Sequence, residues 1–400
     1  MLEIKDDSDR SLVNSLQKWA ETEVVSKRLE YQEDYYELIY PAMQKLMIDI
    51  EMQKILWPED KGGAEYNTSE LAVTLAHALE QVGWADVGIA FVSSATYALC
   101  STFALEKNSR EKLVEKIAPL FCDTEDPVIG SLILPEYGGS DSDSGALFGG
   151  KYLQARARKE GKNWLIDGEN MRPLNSGVDA SLYGVFCNLE GEDCPGFFIV
   201  PADSPGIKKG DLSIKTGLGA SRNCSLQMKK VKVADENLVF KGRSPYLQMM
   251  SWLYLGASAT ATGAHVAAYE IVKDWGDSRV IKGKGQVFKN NPLTASLMAE
   301  ISQEMLLSRL LTSRLAQMLM EATMKDDEEV EQIYVSSLSI VNRVTHAAEK
   351  SLNHIMELMG SAGYATEWNL ERYWRDLKTM QVHLGNWEIH KMDLASYFYQ

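Results

Sequence analysis

The stretch GSAGYATEWNLERYWRDLKTMQVHLGNWEI, residues 360–389, decides how the rest of the chain is read. An apolar-periodic run leads into it: Ile340, Val341, Val344, Leu352, Ile355, Met356 and Met359. That spacing predicts one buried helix face. Gly360 and Gly363 then break the helix, as glycines do where backbone turns or approaches a ligand closely. Glu371, Arg372, Arg375 and Asp376 crowd the next turns with opposite charges. Gly385 interrupts a second time, ahead of an aromatic-rich tail. Glycine, ion-pair helix and glycine make either the edge of a cofactor site or a helical hairpin with a charged corner.

Working back from this stretch, the chain reads as helical from about Tyr246 to its end. Leu297, Ile301, Met305, Leu310, Leu315 and Met318 recur at three to five residues and predict a long core helix. MKDDEEVE, residues 324–331, reads as a solvated turn between helices. Between Asp126 and Leu238 short apolar runs alternate with turn signals: VIGSLIL, YLQARAR, WLIDG, SLYGVF, FFIVP and SLQMKKVKV. EGKN, residues 160–163, sits between two alternating segments and is a hairpin signal. Turns recurring at this spacing argue a small antiparallel β-domain. Residues 8 to about 125 read as helical, with Leu12, Leu16 and Trp19 on one face and WPEDKGG, residues 57–63, as an interrupting loop. The layout is α+β: an N-terminal helical domain over 1–127, a middle antiparallel β-domain over 128–240 and a C-terminal helical bundle over 241–400.

The 400 residues, 45% hydrophobic and 24% charged, are enough for a sizeable core of ordinary globular composition. A formal charge of −15 argues against a nucleic-acid or anionic-membrane binder, while allowing one local basic pocket. Five scattered cysteines without a CxxC pair predict reduced thiols and a cytoplasmic location. The six histidines form no HExxH-type motif, so no metal site is expected. No apolar run approaches the roughly 20 residues needed to span a bilayer, so no membrane span is expected. The charged N-terminus carries no signal-type apolar region.

Four further segments carry candidate chemistry. GGSDSDSG, residues 138–145, has free backbone, N–H groups and serine hydroxyls able to hold a phosphate or a flavin edge; a plain polar loop has the same composition. DGENMRPLN, residues 167–175, puts Arg172 at a hairpin end. It is either a surface arginine or a cation in a pocket, where a guanidinium pairs a substrate carboxylate as a fork. GLGAS, residues 217–221, reads as a turn. SWLYLGASATATGAHVAAYE, residues 251–270, carries small residues that let another helix or a ligand approach closely.

Taken together these segments resemble the acyl-CoA dehydrogenase family over nearly the whole chain. The family's C-terminal pattern runs Gly-Gly-x-Gly-Tyr, Glu-Arg-x-x-Arg-Asp, then Ile-Tyr-Glu-Gly-Thr-x-Glu-Ile. Gly360, Gly363, Tyr364, Glu371, Arg372, Arg375, Asp376, Gly385, Glu388 and Ile389 match it in register. Pro58, Glu59, Gly62 and Gly63 match its Pro-Glu-x-x-Gly-Gly turn. Gly139, Ser140 and Asp141 match the end of Thr-Glu-Pro-x-x-Gly-Ser-Asp, whose residues touch flavin and acyl-CoA in the family. Arg279 falls on the arginine that reaches an FAD pyrophosphate across a subunit interface. The departures are as informative. Leu384 stands where the family has its catalytic Glu, and Leu253 where some members keep an alternative one. Leu134, Pro135 and Glu136 replace Thr-Glu-Pro, and Arg172 replaces a Trp against the flavin. Tyr254 replaces an Arg, Lys282-Gly283 a Phe-Gly, Glu357 a Gln facing the neighbour's FAD and Asn386 a Thr.

The resemblance implies FAD as cofactor, held through Gly139, Ser140, Asp141, Arg172, Arg279, Glu357, Gly360 and Asn386. It implies an acyl-CoA against Tyr254, Leu384 and Gly385, and an oxidoreductase that removes the thioester α-proton and passes the β-hydride to flavin. With Leu384 in the base position, His383 is the candidate base, its ordinary pKa lying near neutrality. The backbone N–H at residue 384 is expected to persist as a donor to the thioester oxygen. The implied partners are a second copy in a homodimer or homotetramer, or a second family member in a heteromer, and an electron-transfer flavoprotein. Three functions stay open: a dehydrogenase with a relocated base and a carboxylated or cyclic substrate, a non-catalytic or half-site subunit, and another flavoprotein activity.

Overall fold

Asp86 stands between two Ala/Leu/Val-rich runs and turns the chain from one into the other. Its backbone is extended and its Oδ1 accepts from the Ile89 amide at 2.8 Å. That cap separates α3 (Leu71–Ala85) from α4 (Val87–Ala104). The computed structural model of the chain describes residues 7–28, 35–64, 70–105, 111–137, 151–280, 285, 287–322 and 326–399, without the side chains of 7–9, 151 and 386. Helices α1 (Asp7–Trp19), α2 (Tyr35–Gln44) and α5 (Glu111–Cys122) join α3 and α4 in the N-terminal part. Leu16 and Trp19 are buried on the face their spacing predicts, and Trp19 Nε1 donates to Ala42 O at 2.9 Å. Residues 57–63 form the expected loop. Gly63 is packed so tightly on Trp57 that a Cβ there would lie 1.9 Å from the Trp57 carbonyl oxygen.

Helix α4 corrects one expectation. It is long and apolar enough by composition to cross a bilayer. Its residues face other parts of the protein instead, 89% of the run being buried inside the fold, which accounts for the composition.

The middle of the chain is a sheet of β1 (Gly130–Ile133), β4 (Ala155–Glu160), β5 (Asn163–Met171), β6 (Leu182–Leu189), β7 (Pro195–Pro201), β8 (Ile207–Leu212), β9 (Cys224–Ala234) and β10 (Leu238–Lys241). A separate ribbon pairs β2 (Glu136–Tyr137) with β3 (Lys151–Tyr152). The strand order is β10–β7–β6–β4–β5–β9–β8, with β1 also on β6. EGKN is the β4–β5 hairpin, Glu160 opposite Asn163, with Gly161 at φ +63° in the turn. Pairing is antiparallel except that β1 and β4 run parallel to β6. For β4 the reason is connectivity: β5 reverses the chain once and the 172–181 loop reverses it again. Trp164, Ile166, Val185, Phe198 and Val231 fill the sheet's buried face.

The C-terminal bundle is α6 (Ser244–Ser278), α7 (Pro292–Glu321), α8 (Asp327–Met359), α9 (Leu370–His383) and α10 (Asn386–Phe398). Helix α6 is its axis, packed on α3, α4, α7 and α8. The small residues of α6 serve helix packing: a Cβ on Gly263 would lie 2.0 Å from Glu80 O, and one on Gly256 would lie 2.5 Å from Ser94 Oγ. Helix α7 is less central than its periodicity implied. Ile301 and Leu315 are buried, but Leu297 and Met318 are half-buried and Leu310 is 53% exposed. Gly360, at φ +60°, ends α8, and after short 3₁₀ turns α9 runs back along it.

Candidate active site

A cavity of about 570 Å³ lies between the sheet and the α9–α10 corner, a size usual for small-molecule sites. The loop after β5 forms one wall, and buried asparagines hold it. Asn175 Nδ2 donates to Gly130 O at 2.8 Å, its Oδ1 accepts from the Leu132 amide at 3.2 Å, and Asn223 Nδ2 donates to Pro173 O at 3.0 Å. Arg172, Pro173 and Leu174 thereby line the cavity, with Leu134 and Glu136 beside them. Tyr152 donates its hydroxyl proton to Glu136 Oε2. Tyr246, Met250 and Tyr254 enter from α6.

The opposite wall is the corner His383–Leu384–Gly385. Gly385 sits at φ +116°, a conformation that favours glycine, and this sends the chain sharply from α9 into α10. His390 Nε2 donates to Leu384 O at 2.8 Å and clamps the corner. His383 Nδ1 lies 2.9 Å from the Leu174 carbonyl oxygen. A carbonyl only accepts, so in the neutral ring Nδ1 carries the proton and Nε2 the lone pair. Burial holds the imidazole below its usual pKa; the Leu174 bond opposes this and the Lys215 charge adds to it. The Leu384 amide donates to Met380 O at 3.0 Å, and that of Gly385 to Val382 O at 3.2 Å. The expected thioester donor at residue 384 is therefore corrected: the helix end continues through Leu384 and engages that N–H.

Lys215 lies on the turn between β8 and β9, lines the cavity and donates to Ser221 O. Burial weakens its hold on the proton, and Asp376 opposes that shift. Helix α9 grips the same turn. Arg375 Nη1 donates to Thr216 O at 2.6 Å, and Asp376 Oδ1 accepts from the Leu218 amide at 2.5 Å. Asp376 is buried; burial pushes its carboxyl up, Asp86 adds to the shift and Arg372 opposes it. Tyr35 donates to Asp86 Oδ2 at 2.5 Å, and Arg28 Nη1 donates to both Tyr373 Oη and Ala85 O at 2.8 Å. The Arg372 guanidinium lies 3.6 Å from the Tyr35 ring centre. The charged corner at 371–376 is thus a tie between the N-terminal helices, the β8–β9 turn and α9. None of its side chains lines the cavity.

The family model for the acyl-CoA dehydrogenase C-terminal domain matches residues 255–387, from α6 to the corner. Cyclohexane-1-carbonyl-CoA dehydrogenase of Syntrophus aciditrophicus (strain SB) is 23% identical over 367 residues, covering 90% of this chain and 88% of its own. The mitochondrial short-chain specific acyl-CoA dehydrogenase of Mus musculus is 25% identical over 398 residues, covering 98% and 90%. The chain is similar to acyl-CoA dehydrogenases over nearly its whole length. The solved butyryl-CoA dehydrogenase of Megasphaera elsdenii matches with a TM-score of 0.80 at 20% identity over 100% of both chains, so the acyl-CoA dehydrogenase fold is kept from end to end.

Within this acyl-CoA dehydrogenase fold, Arg172, Tyr254, His383, Leu384 and Gly385 come together on one cavity. Arg172 is exposed at its mouth and Tyr254 is buried. Gly139, Ser140, Asp141, Lys282 and Gly283 lie outside the described residues. Arg279 caps the far end of α6, exposed, its guanidinium 5.8 Å from the Trp275 ring centre. The helical rise puts it roughly 40 Å along α6 from Tyr254, so it does not reach its own chain's cavity. Glu357 and Gly360 are exposed at the C-terminal end of α8. The corner packs near His346, which stacks on Trp387 at 4.2 Å, and Glu357 is roughly 16 Å further along the helix. Asn386 opens α10, its side chain outside the described residues. Two groups escaped the sequence reading: the Leu174 carbonyl, which no residue type announces, and Lys215, whose one signal is its place just before the Gly217 turn.

The residues at hand fit the FAD that the resemblance implies. The Ser213 and Ser225 hydroxyls line the cavity and make no hydrogen bond among the described residues. Those donors suit the carbonyl edge of a flavin, while Leu134, Leu174 and Leu384 suit its apolar edge and an acyl chain.

Proposed function

We propose that the chain is an FAD-dependent acyl-CoA dehydrogenase-like flavoprotein that oxidises the α,β bond of an acyl-CoA thioester, with His383 as its base. The observation that carries this reading is the 2.9 Å hydrogen bond from His383 Nδ1 to Leu174 O, which leaves Nε2 basic on a cavity that has lost the family's carboxylate. Bound FAD supplies the two-electron oxidant. Ser213 and Ser225 would hold its ring, and Arg279 would hold the pyrophosphate of a second copy's FAD, which makes the working form a homodimer or homotetramer. His383 takes the α-proton at Nε2. Lys215, a nearby positive charge, disfavours a second one on the imidazole and so keeps it able to accept. Leu134, Leu174 and Leu384 keep water from the reacting carbons. An electron-transfer flavoprotein in the cytoplasm would then collect the electrons.

The test is the visible spectrum of the purified protein with added FAD, followed by anaerobic addition of acyl-CoA. The flavin bands are expected to bleach. His383→Gln should slow bleaching on the order of a hundred- to ten-thousandfold with FAD still bound. Bleaching at the wild-type rate in that variant would remove His383 as base. The engaged Leu384 amide favours a second reading, a non-catalytic or half-site subunit of a heteromeric complex. On that reading the isolated chain takes up no FAD, or holds it unbleached until a second family member is added.

A further inference from the structure

Among the described residues, the cavity is lined by two fixed cations, Lys215 and Arg172, and one carboxylate, Glu136. Glu136 is engaged by the Tyr152 hydroxyl. No carboxylate among the described residues lies within ion-pair distance of Lys215 or Arg172. Among the described residues Lys215 Nζ donates one hydrogen bond, to Ser221 O, which leaves two of its three donors uncommitted there. Arg172 is held by its backbone amide, which donates to Gln154 Oε1 at 2.7 Å, while its guanidinium makes no hydrogen bond among the described residues. Asp376 acts on Lys215 from a distance without pairing with it, so a half-buried ammonium here still gains from an anion in contact. The chain as a whole carries −15, so a cationic lining is not its average surface chemistry.

We propose that the acyl group oxidised here carries a carboxylate, and that Lys215 and Arg172 hold it. This rests on the thioester reading above and names its substrate class. The remaining lining fits the rest of such a group. Leu134, Leu174, Leu384 and Met250 are apolar and suit the methylenes between thioester and carboxylate, with His383 on the wall where the α-carbon must lie. Of the two cations, Lys215 is the anchor, because Arg375 and Asp376 fix Thr216 and Leu218, the residues just after it. Arg172, at the exposed mouth, closes over the anion from the loop after β5.

Calorimetric titration with matched thioester pairs tests this without turnover: succinyl- against butyryl-CoA, glutaryl- against pentanoyl-CoA and adipyl- against hexanoyl-CoA. The members of each pair share the CoA phosphates, so their ratio reads the acyl end alone. The wild type should bind the carboxylated member of at least one pair tenfold or more tightly, as expected for charge-assisted hydrogen bonds. Lys215→Met and Arg172→Met should each bring that ratio to within about threefold, and Lys215→Arg should keep it. Equal binding within all three pairs overturns the proposal and leaves the thioester reading standing. Equal weakening of both members in the variants also overturns it, since the cations would then be serving a phosphate. Absence of binding by every thioester overturns both. If Lys215→Met does not fold, the wild-type ratios and Arg172→Met decide alone.

Discussion

Asp376 and His383 lie two turns apart on α9, both withdrawn from water, yet they do different things. Asp376 is held by protein: it accepts from the Leu218 amide and feels the offsetting charge of Arg372 against the like charge of Asp86. Among the described residues His383 is engaged at one nitrogen only, and its ring borders a cavity. A buried polar group whose partners are all protein fixes the fold. One whose second valence faces space is available for chemistry. The same contrast separates Arg375, bonded to Thr216 O, from Arg172, whose guanidinium lines the cavity.

The largest expected effect lies on the fixing side. Asp376→Leu would leave the Leu218 amide without its acceptor and remove the carboxyl whose charge Arg372 offsets. Breaking one partner of a buried charged network costs roughly 3–5 kcal/mol. Urea unfolding should show that loss as a lower midpoint, and Asp376→Asn, which keeps an acceptor, should lose clearly less. A change under about 1 kcal/mol for the leucine variant would mean that the charged corner does not tie the three parts together.

His265 is the limiting case, a buried histidine on α6 whose two ring nitrogens lack a hydrogen-bond partner among the described residues. Burial, with the Arg309 charge adding, holds its pKa at about 4 against the ordinary 6.5. Its folded pKa is depressed, so the unfolded chain binds the proton first. Above pH 6.5 the group does not bias folding; as pH falls from 6.5 toward 4 it withdraws stability. The shift corresponds to roughly 3 kcal/mol across that window. His265→Leu should flatten the difference between unfolding free energies at pH 7 and pH 4.5. A variant with the wild-type slope would place the acid sensitivity elsewhere.

These contrasts mark what the amino-acid sequence conveys. Glycines at 360 and 385, apolar periodicity before them and alternating runs after Asp126 are local signals, and they delivered helices, sheet and helices in order. The α9 charges were visible, but their direction was not. Whether Asp376 meets a cofactor or the Leu218 amide depends on a turn 158 residues earlier in the chain. Lys215 was hidden for a similar reason. Strands β8 and β9 carry Lys208, Lys209, Lys229, Lys230 and Lys232, and sequence does not say which lysine near them turns inward. The tautomer of His383 is set by a backbone carbonyl, which has no signature in residue type. Leu310 was misplaced because apolar spacing over a 30-residue helix does not reveal where its neighbours end.

The smallest expected effect is the sharpest test of the cavity side. Leu384→Glu restores the family's carboxylate beside His383, on a half-buried position that lines the cavity. If His383 already serves as base, a second base adds little. The new carboxylate would also attract a proton onto the imidazole, because an opposite charge nearby favours the charged form, so one gain is offset by one loss. Flavin reduction by the preferred thioester should then change by less than about tenfold, and the rate should fall at somewhat higher pH on the acid side than in the wild type. The outcome that breaks the comparison is a gain on the order of a hundredfold or more, the size of effect a general base supplies where none was present. In that case His383 is held by Leu174 for structural reasons, as Asp376 is held by Leu218, and the cavity of this chain lacks a base of its own.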